Sequence, residues 1–333
     1  MKPQEIAATL PKILTTSRTP FIWGDPGIGK SDVMRQVATD LKLDLIDARL
    51  SIYDPTDLKG FPVVKGTGKS EAMHFVPPAI LPTKGKGILF LDELPAAPPS
   101  VQAAAYQLIL DKRLGEYALP PGWRIVAAGN YARNGGVHYS LAPALANRFI
   151  HLEMQCCPDS WDIWAAGAGI DPLTRAFLRF KPGLLHDMEA RKGGIAFPSP
   201  RTWAFADELT KLGLAPNALL EALKGTIGEG AAIEFLAFIR MAGSLPSASE
   251  ILLSPDTAPV PESPGAKHAV ASMLENVAST TNFKQCMDYM SRLEVEYQVM
   301  FMNNITKHKR ELCSTREHVQ WCLANKEVLG ITS

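Results

Sequence analysis

The sequence has no C-x-x-C pair, no excess of either charge and no long apolar run, and each absence removes a class of protein. Its five cysteines, Cys156, Cys157, Cys286, Cys313 and Cys322, are odd in number and lack zinc-site spacing. They read as reduced thiols serving as small buried apolar residues. Lys plus Arg and Asp plus Glu each total 34, so the formal net charge is zero. That balance lacks the broad positive field on which non-specific nucleic-acid binding relies, while leaving a local basic patch open. No window approaches the roughly 18 uncharged apolar residues of a membrane span. Met1–Leu14 has an early lysine but neither the apolar stretch nor the small-residue cleavage site of a secretion signal. The expectation is a soluble, cytoplasmic chain without a membrane span and without internal repeats.

What is present is an alternation. From Thr19 to about Met154, short apolar runs alternate with helix-patterned segments, the rhythm of a parallel sheet covered by helices. The strand candidates are Pro20–Trp23, Leu43–Asp47, Gly87–Leu91, Arg124–Ala128 and Phe149–Glu153, whose near-continuous apolar character suits strands covered on both faces. Beyond Pro158 the pattern is helical, over Trp161–Gly167, Leu173–Lys181, Arg201–Leu212, Asn217–Thr226 and Glu229–Ala242. This divides the 333 residues into an α/β domain over 1–155 and a helical domain over 156–245. Residues 246–266, with Pro246, Pro255, Pro259, Pro261 and Pro264 among serines, read as a linker or extended arm. A C-terminal segment over 267–333 follows, with helices near Lys267–Ala278, Asn282–Ile305 and Thr315–Leu329. Ser314 with Glu317 forms a capping-box pattern for the last of these, and Gly330 stands where a glycine would end it. The tail's Phe283, Met287, Tyr289, Met290, Tyr297, Met300 and Phe301 read as packing residues.

Gly24-Asp25-Pro26-Gly27-Ile28-Gly29-Lys30-Ser31 fits G-x-x-x-x-G-K-[ST], directly after apolar Phe21-Ile22-Trp23 and before a helical stretch. The glycines let the backbone turn tightly and aim N–H groups at phosphate oxygens, at a helix start whose partial positive charge also favours anions. Lys30 is expected to reach the β- and γ-phosphates of a nucleoside triphosphate, and Ser31 to ligate Mg²⁺. Further on, Ile88-Leu89-Phe90-Leu91-Asp92-Glu93 is an apolar strand ending in two acids. Carboxylates there are costly unless they meet a cation or a water they polarise. Asp92 is the expected Mg²⁺ partner and Glu93 the base that orients the attacking water. The plainer alternative is that the two acids open a loop.

With these motifs in this order, the sequence resembles the AAA+ ATPases, and within them the MoxR-like and dynein-related branch, over residues 1 to about 245. The resemblance implies an α/β P-loop NTPase sheet sandwiched by helices, an α-helical lid, and extra C-terminal helices beyond the family pattern. Ala127-Ala128-Gly129-Asn130 is similar to the family's sensor 1 strand, which implies that Asn130 helps position the lytic water. Leu141-Ala142-Pro143-Ala144-Leu145-Ala146-Asn147-Arg148-Phe149 looks like the segment whose arginine enters a neighbouring subunit's site. That makes Arg148 the finger, with Arg124, Arg133 and Arg175 as competitors. Pro198-Ser199-Pro200-Arg201-Thr202 resembles the opening of the lid helix, with Arg201 contacting the γ-phosphate from its own chain. Tyr53–Gly60 followed by a hairpin near 61–77, and a second hairpin near 113–121, match the branch's two inserts, with ordinary surface hairpins as the alternative.

The resemblance implies an ATP- and Mg²⁺-dependent ATPase that forms a homo-oligomeric, hexameric ring. It would remodel or activate a protein partner, often one carrying a von Willebrand factor A domain. Two other functions stay open. A motor or loader on nucleic acid draws on Lys65, Lys69, Lys84 and Lys86 but lacks net positive charge and a DNA-reading helix. A nucleotide-gated scaffold would carry the same loop with negligible turnover.

Overall fold

The computed structural model describes residues 1–67, 71–190 and 195–326. The chain divides into two units, Met1–Cys157 and Pro158–Ser333.

The first unit opens with α1 (Pro3–Ile13), β1 (Thr19–Trp23), α2 (Lys30–Asp40), β2 (Asp44–Arg49) and α3 (Pro55–Lys59). A hairpin of β3 (Phe61–Lys65) and β4 (Ala72–Val76) follows, then β5 (Lys86–Asp92) and α4 (Pro99–Asp111). A small hairpin of β6 (Arg113–Leu114) and β7 (Tyr117–Ala118) leads to β8 (Gly122–Gly129), α5 (Pro143–Ala146) and β9 (Phe149–Glu153). All five expected strand runs lie in one parallel sheet, ordered β2-β5-β8-β1-β9. Side chains alternate across a strand, so each apolar run feeds two cores. Leu89 and Leu91 join Phe21, Ile125 and Leu108 of α4 on one face. Ile88 and Phe90 join Ile22, Val126, Leu10 of α1 and Met34 of α2 on the other. Burial on both faces explains why these strands read as continuous apolar runs. Truncating fully buried Phe90 to alanine would cost about 3–5 kcal/mol.

The order also fixes where a ligand can sit. β1 lies between β8 and β9, and chain direction places the carboxyl ends of β1, β5 and β8 at one edge of the sheet. In open parallel sheets the crevice for ligands lies beyond those ends, where the strand order reverses. Both expected hairpins form, pairing Phe61 with Val76 and Arg113 with Ala118. Gly68 and Lys69, in the turn of the first, lie outside the described residues.

The second unit is helical among its described residues: α6 (Pro158–Gly167), α7 (Pro172–Phe180), α8 (Pro200–Thr210), α9 (Pro216–Ile227), α10 (Glu229–Ala242), α11 (Ala248–Leu253), α12 (Pro264–Val277), α13 (Phe283–Met290), α14 (Val295–His308) and α15 (Arg316–Ala324). Three features differ from the sequence expectations. Residues 246–266 are not a free linker. Ser247 and Glu250 form a reciprocal cap that starts α11, whose Ile251 is fully buried. The Arg292 guanidinium then donates to the carbonyls of Pro255 and Ala258, at 2.6 and 2.8 Å, tying the proline-rich stretch down.

The helix expected over Asn282–Ile305 is two, α13 and α14. The chain turns at Ser291–Glu294, burying Leu293 and pairing Glu294 with Lys267. The last helix is capped one residue later than its pattern suggested. Thr315 accepts from the His318 amide, while the Ser314 hydroxyl is spent on the Glu311 carbonyl. Gly330, expected to end it, lies outside the described residues. The tail's aromatic and methionine residues do pack together, with Phe283, Tyr289, Met290 and Phe301 fully or almost fully buried.

Four helices of this unit meet around buried charge. Asp162 of α6 accepts from Arg175 and Arg179 of α7, at 3.0 and 2.8 Å, and contacts His308 of α14 at 2.9 Å. Arg179 also pairs with Glu275 of α12. Burial alone would push the Asp162 carboxyl up. The His308 hydrogen bond and the Arg179 charge overcome it and hold the carboxyl well below the usual range.

Candidate active site

The loop between β1 and α2 is shaped by residues without side chains. Gly27 and Gly29 have φ of 79° and 92°, in the left-handed region, and Gly29 is the N-cap of α2. At Gly24 a Cβ would stand 2.9 Å from the Met154 carbonyl oxygen, so the chain passes too close to β9 for any other residue. Lys30, the first residue of α2, is 9% exposed and turns back into the loop. Its ammonium donates to the Gly24 carbonyl at 2.9 Å, the Asp25 carbonyl at 3.0 Å and Asn130 Oδ1 at 2.7 Å. A buried ammonium must find acceptors or an anion. Here it is held at the mouth of a helix whose first amides face outward. Strand order, glycine-formed loop and buried lysine coincide. The fold is that of an α/β P-loop NTPase.

The phosphate loop gathers most of the residues singled out from the sequence. The Ser31 hydroxyl, on the second residue of α2, donates to Asp92 Oδ2 at 3.1 Å, joining the loop to the end of β5. The other Asp92 oxygen accepts the Glu93 amide at 2.8 Å. Glu93 itself sits at φ 58°, an uncommon conformation for a non-glycine residue and one found at functional turns. Its carboxylate is turned toward Ser51, whose hydroxyl donates to it. Asp25 accepts from the Asn134 side-chain amide at 2.9 Å, bridging the loop to the segment after β8. Pro26 and Ile28 complete the loop, and Ile28 is buried against the β9 side of the sheet.

Two residues escaped the sequence reading. Ser51 lies in a short turn beyond β2 with no motif to mark it, and only its contact with Glu93 brings it into view. Asp47, at the end of the Leu43–Asp47 run, has a buried oxygen with no partner. Burial first, and then the Asp92 charge, push its carboxyl above the ordinary range. An acid ending the apolar run of the strand beside the one that carries Asp92 was the available signal.

The two expected arginines belong to different units. Arg148 follows α5, is exposed and makes no ion pair among the described residues. Two of its competitors are occupied: Arg124 donates to the Leu14 and Pro121 carbonyls, and Arg175 belongs to the buried charge cluster of the second unit. Arg133 lies over the Tyr131 ring at 4.1 Å. Arg201 is exposed in the first turn of α8, behind the Ser199–Thr202 cap. Arg148 nevertheless has a structural link to the loop. Trp23, immediately before Gly24, donates through Nε1 to His151 Nδ1 at 2.8 Å, which leaves Nε2 of the ring to donate to the Ala146 carbonyl at 2.9 Å. Tyr131, next to Asn130, stacks on the same indole at 5.7 Å.

No family model and no curated protein matches the sequence. Among solved structures the chain is similar to NtrX from Brucella abortus in complex with ADP, at 16% identity over 93% of this chain and 67% of that one, with a TM-score of 0.41. It is similar to the same protein in complex with ATP at 15% identity, over 98% and 67% of the two chains, with a TM-score of 0.37. A mutant of Thermotoga maritima RuvB is similar at 16% identity, over 90% of this chain and 93% of that one, with a TM-score of 0.39. Strand order and loop geometry, rather than these likenesses, define the fold. No helix among the described residues is long and apolar enough to cross a membrane.

Proposed function

We propose that this chain is an AAA+ ATPase of the MoxR-like kind, which hydrolyses ATP with Mg²⁺ in a homo-oligomeric ring and remodels a protein partner. The carrying observation is the convergence of Lys30, Ser31, Asp92 and Asn130 at the ends of three neighbouring strands. The donor set fits the nucleotide and its metal. A hydroxyl and a carboxylate 3.1 Å apart are hard oxygen ligands of the kind Mg²⁺ takes alongside phosphate oxygens and water. When bound, Mg²⁺ supplies positive charge to the β- and γ-phosphates.

In this reading the chain's own groups do the following. The Lys30 ammonium exchanges the Gly24 and Asp25 carbonyls for phosphate oxygens. Ser31 and Asp92 would hold the metal. Glu93 leaves Ser51, turns toward the γ-phosphate and takes the proton of the attacking water on its carboxylate. Asn130, released by Lys30, orients that water from the other side. Arg148, without an ion pair among the described residues, serves the site of the next copy, while Arg201 contacts the γ-phosphate from within the chain. The protein-remodelling role is supported by the β3–β4 hairpin, where Phe61, Val64 and Met73 are 70%, 71% and 63% exposed. A von Willebrand factor A domain protein is the partner implied by the resemblance.

The test is Arg148→Ala. Turnover should be lost while binding of a fluorescent ATP analogue stays within about twofold, because a group acting only on developing charge leaves the ground state alone. Equal loss of both sinks the assignment. Hydrolysis stimulated by DNA, with a steep salt dependence, would replace the protein partner with a nucleic acid.

A further inference from the structure

The second unit contains a cavity of about 700 Å³, framed by α6, α7, α12 and α14, which the ATPase reading leaves unused. Its volume is that of a small-molecule site. Asp162, Arg175 and Arg179 of the buried charge cluster line it together with the apolar Trp161, Leu178, Tyr297 and Met300.

A cluster that merely braces four helices should satisfy its own polar groups, because an unpaired one costs about 1–3 kcal/mol. Arg179 meets that standard, with every nitrogen of its guanidinium bonded to Asp162, Glu275 or Ser272. Its neighbours on the cavity wall do not. Arg175, 9% exposed, uses Nε on Asp162 and Nη2 toward His308 and Glu275, while its Nη1, which is not one of the fully buried orphaned atoms, has no partner among the described residues. Asn304, 6% exposed, has a buried side-chain amide nitrogen without a partner. His268 has Nδ1 unpartnered, its ring lying between Phe180 and Tyr297 at 5.2 and 5.4 Å. Burial and the Arg179 charge lower its pKa, so the ring is neutral and can carry its proton on Nδ1.

The unspent groups are therefore donors, one cationic, in a cavity whose wall also offers the apolar side chains of Trp161, Leu178, Tyr297 and Met300. Of the other charges lining the cavity, Asp159 is already paired with Lys307 at 2.7 Å, and Glu296 disfavours a polyanion such as a phosphate ester. We propose that this cavity binds an organic monocarboxylate with an apolar body, its two oxygens accepting from Arg175 Nη1 and Asn304 Nδ2. A free carboxylic acid and the carboxyl terminus of a peptide share that chemistry.

Calorimetric titration of the full-length protein with hexanoate and with N-acetyl-leucyl-leucine tests the proposal, using hexanamide and the peptide amide as controls. At least one acid should bind, and its amide should be about tenfold or more weaker, the loss of a charge-assisted pair. Binding of hexanoate identifies a free acid as sufficient; binding of the peptide acid alone identifies a chain terminus. Asn304→Leu removes an orphaned polar group, so the variant should melt no lower than the parent while losing about tenfold in acid affinity. Lys30→Ala, which disables the phosphate loop, should leave acid binding unchanged, separating this site from the ATPase reading. Failure of both acids to bind, amides binding as well as acids, or Asn304→Leu binding like the parent would each overturn the proposal.

Discussion

The two units handle buried charge in opposite ways. In the first, Lys30, Asp92 and Glu93 are held by groups that a ligand can replace: two loop carbonyls, an amide oxygen and two serine hydroxyls. In the second, Asp162, Arg179 and Glu275 are held by one another. Neutral partners exchange readily, whereas opposite charges in a buried network are costly to separate. The first arrangement suits a site that changes partners during a cycle, and the second suits a joint between helices.

Substitutions can break this contrast. The largest effect is expected at Glu93→Gln, which should lower ATP turnover by about 10²–10⁴ while leaving both units folded, since only a proton acceptor is removed. Steady-state phosphate release together with circular dichroism checks it; a scaffold without turnover would show no difference from the parent. Next is Asp162→Ala, which takes one carboxylate from two buried guanidinium groups and leaves them Glu275 alone, and should cost about 3–5 kcal/mol of stability in chemical denaturation. Nucleotide binding by the first unit should survive it at low denaturant.

The same carboxylate gives a pH dependence of known sign. Its native pKa lies below its unfolded value, so its stabilisation is complete above about pH 4–5 and drains away as pH falls toward the native value. Melting scans between pH 6 and pH 3 should show a decline that Asp162→Asn flattens. The smallest effect is expected at Ser51→Ala. Freeing Glu93 from one hydroxyl should raise turnover by a few fold, on the order of one hydrogen bond. A fall in turnover would mean that Ser51 holds Glu93 where the reaction needs it.

The contrast also explains what the sequence disclosed. The phosphate loop and the β5 acids are each contiguous in sequence, so apolar runs ending in Gly24 and Asp92 announced them, and the central strands β1, β5 and β8 were legible because burial on both faces leaves them largely apolar. Ser51 and Asp47 were hidden because their importance comes from a partner on a different strand or turn. The charge cluster is assembled from residues 162, 175, 179, 275 and 308, whose local patterns resemble any solvated helix face. Proline content misled at 246–266, where the decisive contact is an arginine almost forty residues downstream. The break at Ser291–Glu294 left no glycine or proline to mark it.

One link in the first unit has a mechanical meaning. Between the backbone of Trp23 and the turn that carries Arg148 lie a rigid indole, a single imidazole and two hydrogen bonds of 2.8 and 2.9 Å. Hydrogen bonds weaken steeply beyond about 3.2–3.5 Å, so this train has little slack. A displacement of the indole by about half an ångström must either snap the train or pull Ala146 along with it. His151 is thus a coupling rod that gears the turn before Arg148 to the phosphate loop.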